Sequence, residues 1–293
     1  MDLWSADYVW DRLPHESAGG LRKKQNMKRL LRSTCNWLRL FGINPGKTIR
    51  AIKGLPQYCR DFRTLQRQRQ FAAKKFPLAK FYPYLEDRAE GGGCAAGHYF
   101  HQDLRIARRI FQNNPKTHVD VGSRVDGFVA HVASFRPIEV FDVRPVDVKV
   151  ANISFHQADL MALLPPELEG YCDSLSCLHA LEHFGLGRYG DPVNYDGYLM
   201  GLNNLSRMLK GGGKLYLSVP IGPQRIEFNA HRVFSLGYLL ECLSGGFMVD
   251  SFSYVDDGGD LHEEMPLTAE GVASNYGCTF GLGILELTRR SVS

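Results

Sequence analysis

No uninterrupted apolar run of about 18 residues occurs in the sequence, so no membrane-spanning helix is expected. Met1–Glu16 carries acidic side chains and lacks the apolar stretch of a secretory leader. The seven cysteines (35, 59, 94, 172, 177, 242 and 278) are odd in number and form no CxxC pair. A reduced, cytoplasmic setting is therefore expected, with Cys172 and Cys177 as buried free thiols of an apolar segment. Acidic residues are nearly absent from one stretch. Between Leu21 and Lys75 sixteen Lys and Arg stand against a single acid, Asp61, a balance of +15 that leaves −11 for the remainder. No RNA- or DNA-binding motif accompanies this charge, which disfavours nucleic acid as its partner.

What is present suits one large domain with an appended segment: 293 residues, 44% hydrophobic and 23% charged. Residues 1–26 are polar and unpatterned, precede an internal methionine, Met27, and read as an unstructured extension. Residues 27–96 read as a basic helical arm. Leu30, Leu31, Cys35, Leu38 and Phe41 recur at helical spacing among Lys28, Arg29, Arg32 and Arg39, and Gly42 and Pro45 end the pattern. A second helix is expected over Lys47–Lys53, broken at Gly54 and Pro56, and a third over Gln57–Lys75. Such an arm fits an anionic membrane surface through residues 27–75, which would place the protein peripherally at the inner face of a membrane. It also fits a helical lid whose apolar stripe packs on the main domain and leaves the charges solvated.

From residue 97 to 293 strand and helix patterns alternate. A helix over Gln102–Gln112 is followed by strands at His118–Gly122, Ile138–Val143, Ile153–Ala158, Ser174–His179 and Lys214–Pro220. Helices fall at Gly127–Phe135 and Tyr195–Leu209. A further helix, Ser235–Leu243, precedes strands at Phe247–Val255 and Thr279–Thr288. The pattern predicts a doubly wound α/β fold: a seven-stranded, mostly parallel, Rossmann-like sheet, with its last two strands paired as an antiparallel hairpin at one edge.

Ligands of open α/β sheets sit beyond the carboxyl ends of the strands. The first strand ends in Asp120-Val121-Gly122-Ser123-Arg124, where Gly122 admits a cofactor close to the backbone. The second ends in Asp142, placed to accept ribose hydroxyls. The third ends in Asp159, placed for an adenine amino group. The fourth runs into His179-Ala180-Leu181-Glu182-His183, and Leu209-Lys210-Gly211-Gly212-Gly213 precedes the fifth.

In their order and spacing these runs resemble class I S-adenosylmethionine-dependent methyltransferases. The resemblance implies S-adenosylmethionine as cofactor, with Asp120, Gly122, Arg124, Asp142 and Asp159 around it. Arg124 and Asp126 stand where that family has glycines; Arg124 would crowd the methionine moiety or pair with its carboxylate. The chain also resembles a family named "Caenorhabditis protein of unknown function", with bacterial members, through Val119–Val132, Ser176–Gly197 and Phe228–Ser235. That resemblance implies a link to surface-polysaccharide biosynthesis.

His179, Glu182, His183, Arg188, Tyr189 and Asp191 follow the fourth strand; Asn229, His231 and Arg232 follow the fifth. Imidazoles beside carboxylates suit a general base with its orienting partner, with His179, Glu182, His183, Asp191 and His231 as the catalytic candidates. His179, His183 and His231 also suit a divalent metal. Arg188, Tyr189, Asn229 and Arg232 are the substrate-binding candidates, the arginines for phosphate or acidic sugar. The leading expectation is methyl transfer to a sugar or glycolipid hydroxyl. The alternatives are a metal-dependent enzyme acting on a nucleotide sugar and a non-catalytic, membrane-associated scaffold.

Overall fold

The computed structural model describes residue 38 and residues 41–73, 76–89, 92–147 and 149–291. Residues 1–26, and nearly all of the helix expected at Met27–Phe41, lie outside these. The chain divides into two units, Met1–Cys94 and Ala95–Ser293.

In the first unit one helix, α1 (Pro45–Phe71), replaces the two expected on either side of Gly54 and Pro56. Asn44 caps it, its side chain accepting from the Lys47 N–H at 3.0 Å, and Pro45 occupies the first turn, where a missing N–H costs nothing. Pro56 forfeits one internal hydrogen bond of the helix. Gly54 marks a crossing rather than an end: a Cβ there would lie 2.0 Å from the Leu85 carbonyl oxygen. None of α1's described side chains is buried.

In the second unit the parallel strands are β1 (His118–Val121), β2 (Ile138–Asp142), β3 (Ile153–Gln157), β4 (Cys172–Leu178) and β5 (Leu209–Ile221). A small hairpin, β6 (Arg225–Glu227) and β7 (His231–Val233), precedes β8 (Phe247–Val255), β9 (Leu261–His262) and β10 (Gly281–Arg289). The sheet has eight strands in the order β3-β2-β1-β4-β5-β10-β8-β9.

The expected antiparallel pairing of the last two long strands, β8 with β10, is present, but neither of them forms the edge. β10 inserts between β5 and β8, antiparallel to both, and β9 forms the edge. Its composition accounts for the place. Leu282, Ile284, Leu285 and Leu287 are buried on alternate faces, so the strand needs cover on both sides.

The helices of this unit are α2 (His98–Asn113), α3 (Ala130–Ala133), α4 (Gly197–Met208), α5 (Leu236–Ser244) and α6 (Ala269–Ser274). One face of the sheet packs α4 and α5 through Leu202, Leu205, Met208, Leu236, Leu239 and Leu243. The other packs α2 and α3 through Ile106, Ile110 and Val132. The helix expected at Gly127–Phe135 begins as a wide turn, Val125–Val129, in which Gly127 leaves helical geometry (φ −120°, ψ −115°). A Cβ at Gly127 would stand 3.1 Å from Asp103 Oδ2, so this helix start is shaped by α2 pressing on it.

Candidate active site

Strand order reverses between β1 and β4, and a crevice opens at such a switch point. The register pairs Asp120 with Ser176, so the exits of the two strands, Gly122 and His179, come side by side. Gly122 has φ 79°, and a Cβ there would fall 2.8 Å from the Ala180 Cβ. Only glycine fits this turn.

Beneath it lies Asp120, fully buried. The hydroxyls of Ser176 and Ser123 donate to its Oδ1 at 2.6 and 2.8 Å, and the Ser123 N–H donates to Oδ2 at 3.0 Å. Burial pushes its pKa up to about 7, against the downward pull of those donors. Folding therefore favours the protonated form. The stability it contributes is complete below the unfolded value of 3.8 and is lost as pH rises through about 7. In urea titrations, Asp120→Asn is expected to remove roughly 4 kcal/mol of that decline between these pH values. An unchanged slope would assign the burial effect elsewhere.

His179 leaves β4 with φ 54°, a left-handed conformation rare for a histidine and typical of strained functional positions. The Ser218 carbonyl and hydroxyl hold its N–H at 2.9 and 3.0 Å. This bend, followed by a single tight turn (Leu181–His183), brings His179 Nδ1 onto the Glu182 carboxylate. The other ring nitrogen, Nε2, lies 3.2 Å from His98 Nδ1, and the Tyr99 ring stacks on His179 at 4.9 Å.

Glu182 is fully buried. Burial alone would raise its pKa, but His179 and His183 outweigh it and hold the carboxyl below its ordinary value. His183 Nε2 stands 3.7 Å from Glu182 Oε1, and its Nδ1 lies 2.7 Å from the Ala230 carbonyl. Burial lowers the pKa of His183 and of His231, and pulls His98 down to about 3. The His231 ring centroid is 6.4 Å from that of His183. The cluster is thus rich in neutral imidazole around one carboxylate.

Other candidates are placed differently. Arg124 and Asp126 grip each other in a bidentate pair at 2.9 and 2.7 Å, so the two charges standing in the glycine positions cancel locally. Asp142 is 7% exposed, and both its oxygens carry Arg144, at 3.0 and 2.6 Å. Arg144 in turn covers the Tyr189 ring at 4.3 Å, with Arg188 at 5.1 Å. The edge of Tyr189 meets His183 at 5.3 Å, which links the β2 exit to the histidine cluster. Asp159 Oδ1 accepts from the Met161 N–H at 2.8 Å.

Asp191 accepts the N–H groups of Gly185, Gly187 and Tyr189, which spends its carboxylate on holding the loop. Arg188 donates to the Ala230 carbonyl at 3.0 Å. Asn229 sits at the tip of the β6–β7 hairpin with φ 63°, a conformation asparagine tolerates. Arg232, expected at the substrate, is 5% exposed. It donates to the carbonyls of Phe184 and Tyr195 at 2.5 and 2.8 Å, with those of Glu182 and Asn194 near the limit. It ties the β7 strand to the loop that follows β4.

Sequence reasoning missed His98, Tyr99, Asp103 and Arg144. Asp103 is 8% exposed, and burial raises its pKa to about 6. A signal was available: the first turns of α2, His98-Tyr99-Phe100-His101-Gln102-Asp103, bury polar residues where an amphipathic helix would place apolar ones.

Five parallel strands followed by an inserted antiparallel one, with a glycine turn at the switch point, define a class I methyltransferase-like domain. A protein family described as "Caenorhabditis protein of unknown function" matches residues 164–275, a segment that carries His179, Glu182, His183 and His231. The resemblance read from the sequence is thereby found.

Among solved structures the chain is similar to a Burkholderia thailandensis 1,6-didemethyltoxoflavin-N1-methyltransferase with bound S-adenosylhomocysteine. The identity is 16%, covering 64% of this chain and 79% of that one, with a TM-score of 0.45. It is similar to the N-methyltransferase NodS from Bradyrhizobium japonicum WM9 at 11% identity, covering 67% and 89%, with a TM-score of 0.45. It is also similar to the [4+2]-cyclase SpnF at 18% identity, covering 64% and 82%, with a TM-score of 0.45. No curated protein matches the chain.

Proposed function

We propose that the protein is an S-adenosylmethionine-dependent O-methyltransferase acting on a hydroxyl of a sugar or glycolipid, with a place in surface-polysaccharide biosynthesis. One observation carries this reading: Gly122, where a cofactor backbone approach is possible, and His179, a proton-handling side chain, share the switch-point rim. Methyl transfer inverts the carbon, so the acceptor oxygen must line up behind the sulfonium and shed its proton as it attacks. A sugar hydroxyl does not ionise near neutral pH. It needs an adjacent base, and the cluster of imidazoles around Glu182 supplies one. The Tyr99 ring and Arg188 lie on the same rim, a flat face for a pyranose and a cation for an acidic or phosphorylated acceptor.

S-adenosylhomocysteine has to displace Arg144 to reach the Asp142 carboxylate. We expect calorimetry to show binding at micromolar concentration, weaker than an open ribose site would give. Absence of binding at millimolar concentration would remove the reading.

A further inference from the structure

Around Glu182 the hydrogen-bonding groups do not pair off. Its carboxylate is fully buried; Oε1 meets His179 Nδ1, while Oε2 has no hydrogen-bond partner. A second mismatch lies beside it. The Ala230 carbonyl can only accept, so the His183 Nδ1 that touches it at 2.7 Å carries the ring proton. In the neutral ring Nε2 is then a lone pair, and it faces Glu182 Oε1, another acceptor, across 3.7 Å with no hydrogen between them. A third is His231 Nε2. It is buried without a hydrogen bond, although Glu227 Oε2 lies 3.4 Å away. Unpaired lone pairs of Glu182 and His183 thus meet at one buried spot, with the His231 ring 6.4 Å from that of His183.

We propose that this spot binds a first-row divalent transition ion, held by His179, Glu182 and His183, with His231 completing the set. The ligating atoms of the first three lie within 4.8 Å of one another, so modest side-chain rotations close them around an ion. The ion takes the place of the hydrogen between His179 Nδ1 and Glu182 Oε1, and the neutral His179 ring keeps its one hydrogen on Nε2, facing His98 Nδ1. The Ala230 carbonyl already fixes His183 in the way that outer partners fix metal-bound histidines, by receiving the far ring N–H. Three imidazoles and one carboxylate favour zinc, cobalt or iron over magnesium or calcium, which prefer oxygen.

The bound ion would receive the acceptor hydroxyl and lower its pKa. That role rests on the methyl-transfer reading; the binding itself does not.

The test uses the full, untagged chain, stripped with EDTA and titrated with Co²⁺ alone. We expect one ion per chain, visible d–d absorption, and loss of that absorption when Zn²⁺ is added. Glu182→Gln and His231→Asn should each weaken Co²⁺ binding at least about tenfold, with near-UV circular dichroism establishing that both variants are folded. Absence of absorption, or equal affinity in wild type and in a folded variant, overturns the proposal and leaves His183 as a protonated partner of Glu182. Calorimetry with S-adenosylhomocysteine on the same stripped protein separates the two ideas. Cofactor binding without Co²⁺ binding sinks the ion alone, and Co²⁺ binding without cofactor binding sinks methyl transfer alone.

Discussion

Replacing Glu182 by glutamine should lower the rate of methyl transfer about 10²–10⁴-fold, the range expected when a positioned proton acceptor is lost. The reason is local. Glu182 lies at the centre of the cluster, touching His179 directly and standing 3.7 Å from His183. An amide keeps the volume but removes the charge that orients the His179 ring. Affinity for S-adenosylhomocysteine should stay within a few-fold, because Glu182 faces the histidines rather than the Gly122 turn. The assay is transfer of label from S-adenosylmethionine into glycan or glycolipid fractions, read as kcat apart from KM. In the wild type the acid limb of the pH–rate profile should fall below the ordinary histidine value of 6.5, since burial lowers His183. A folded Glu182→Gln protein working within threefold of wild type would remove the cluster from the chemistry.

The second large effect is on stability. Arg232→Ala should cost about 3 kcal/mol, since it removes a buried guanidinium that makes charge-assisted hydrogen bonds to the part-buried carbonyls of Phe184 and Tyr195. For a domain of this size that corresponds to a fall in melting temperature of roughly 6–12 °C. It also loses the packing of the guanidinium over the Tyr198 ring, 4.8 Å away. Arg232→Lys should rescue little, because one ammonium cannot span two carbonyls lying on different sides of a planar fork. Thermal melts of the two variants measure this. An alanine variant melting within a degree or two of wild type would mean that water replaces the guanidinium, and would return Arg232 to the list of ligand-facing groups.

These two residues show how far the sequence could be read. His179, Glu182 and His183 sit within five positions after an apolar strand, so strand direction and the rule for parallel sheets were enough to put them at the rim. Arg232 is adjacent in sequence to His231 and was grouped with it. Yet the β7 strand turns successive side chains to opposite sides, so His231 meets the cluster while Arg232 points into the loop carbonyls. Asp142 and Arg144 present the same problem in another form. The aspartate was legible as a strand-end acid, but nothing in the linear pattern said that the arginine two residues on would cover both of its oxygens. His98 and Tyr99 were invisible to that pattern because they reach His179 across 81 and 80 residues, by the docking of α2 on the sheet.

By itself the sequence determined the alternation of strands and helices, the parallel half of the sheet, and the glycine turn at the exit of β1. Each follows from hydrophobic period, turn chemistry or sterics within a few residues. Tertiary structure alone decided that β10 enters between β5 and β8, which acids are already spent on arginines and backbone, and which lone pairs around Glu182 face each other unpaired. Those outcomes depend on distances between segments far apart in the chain, and local energetics does not set them.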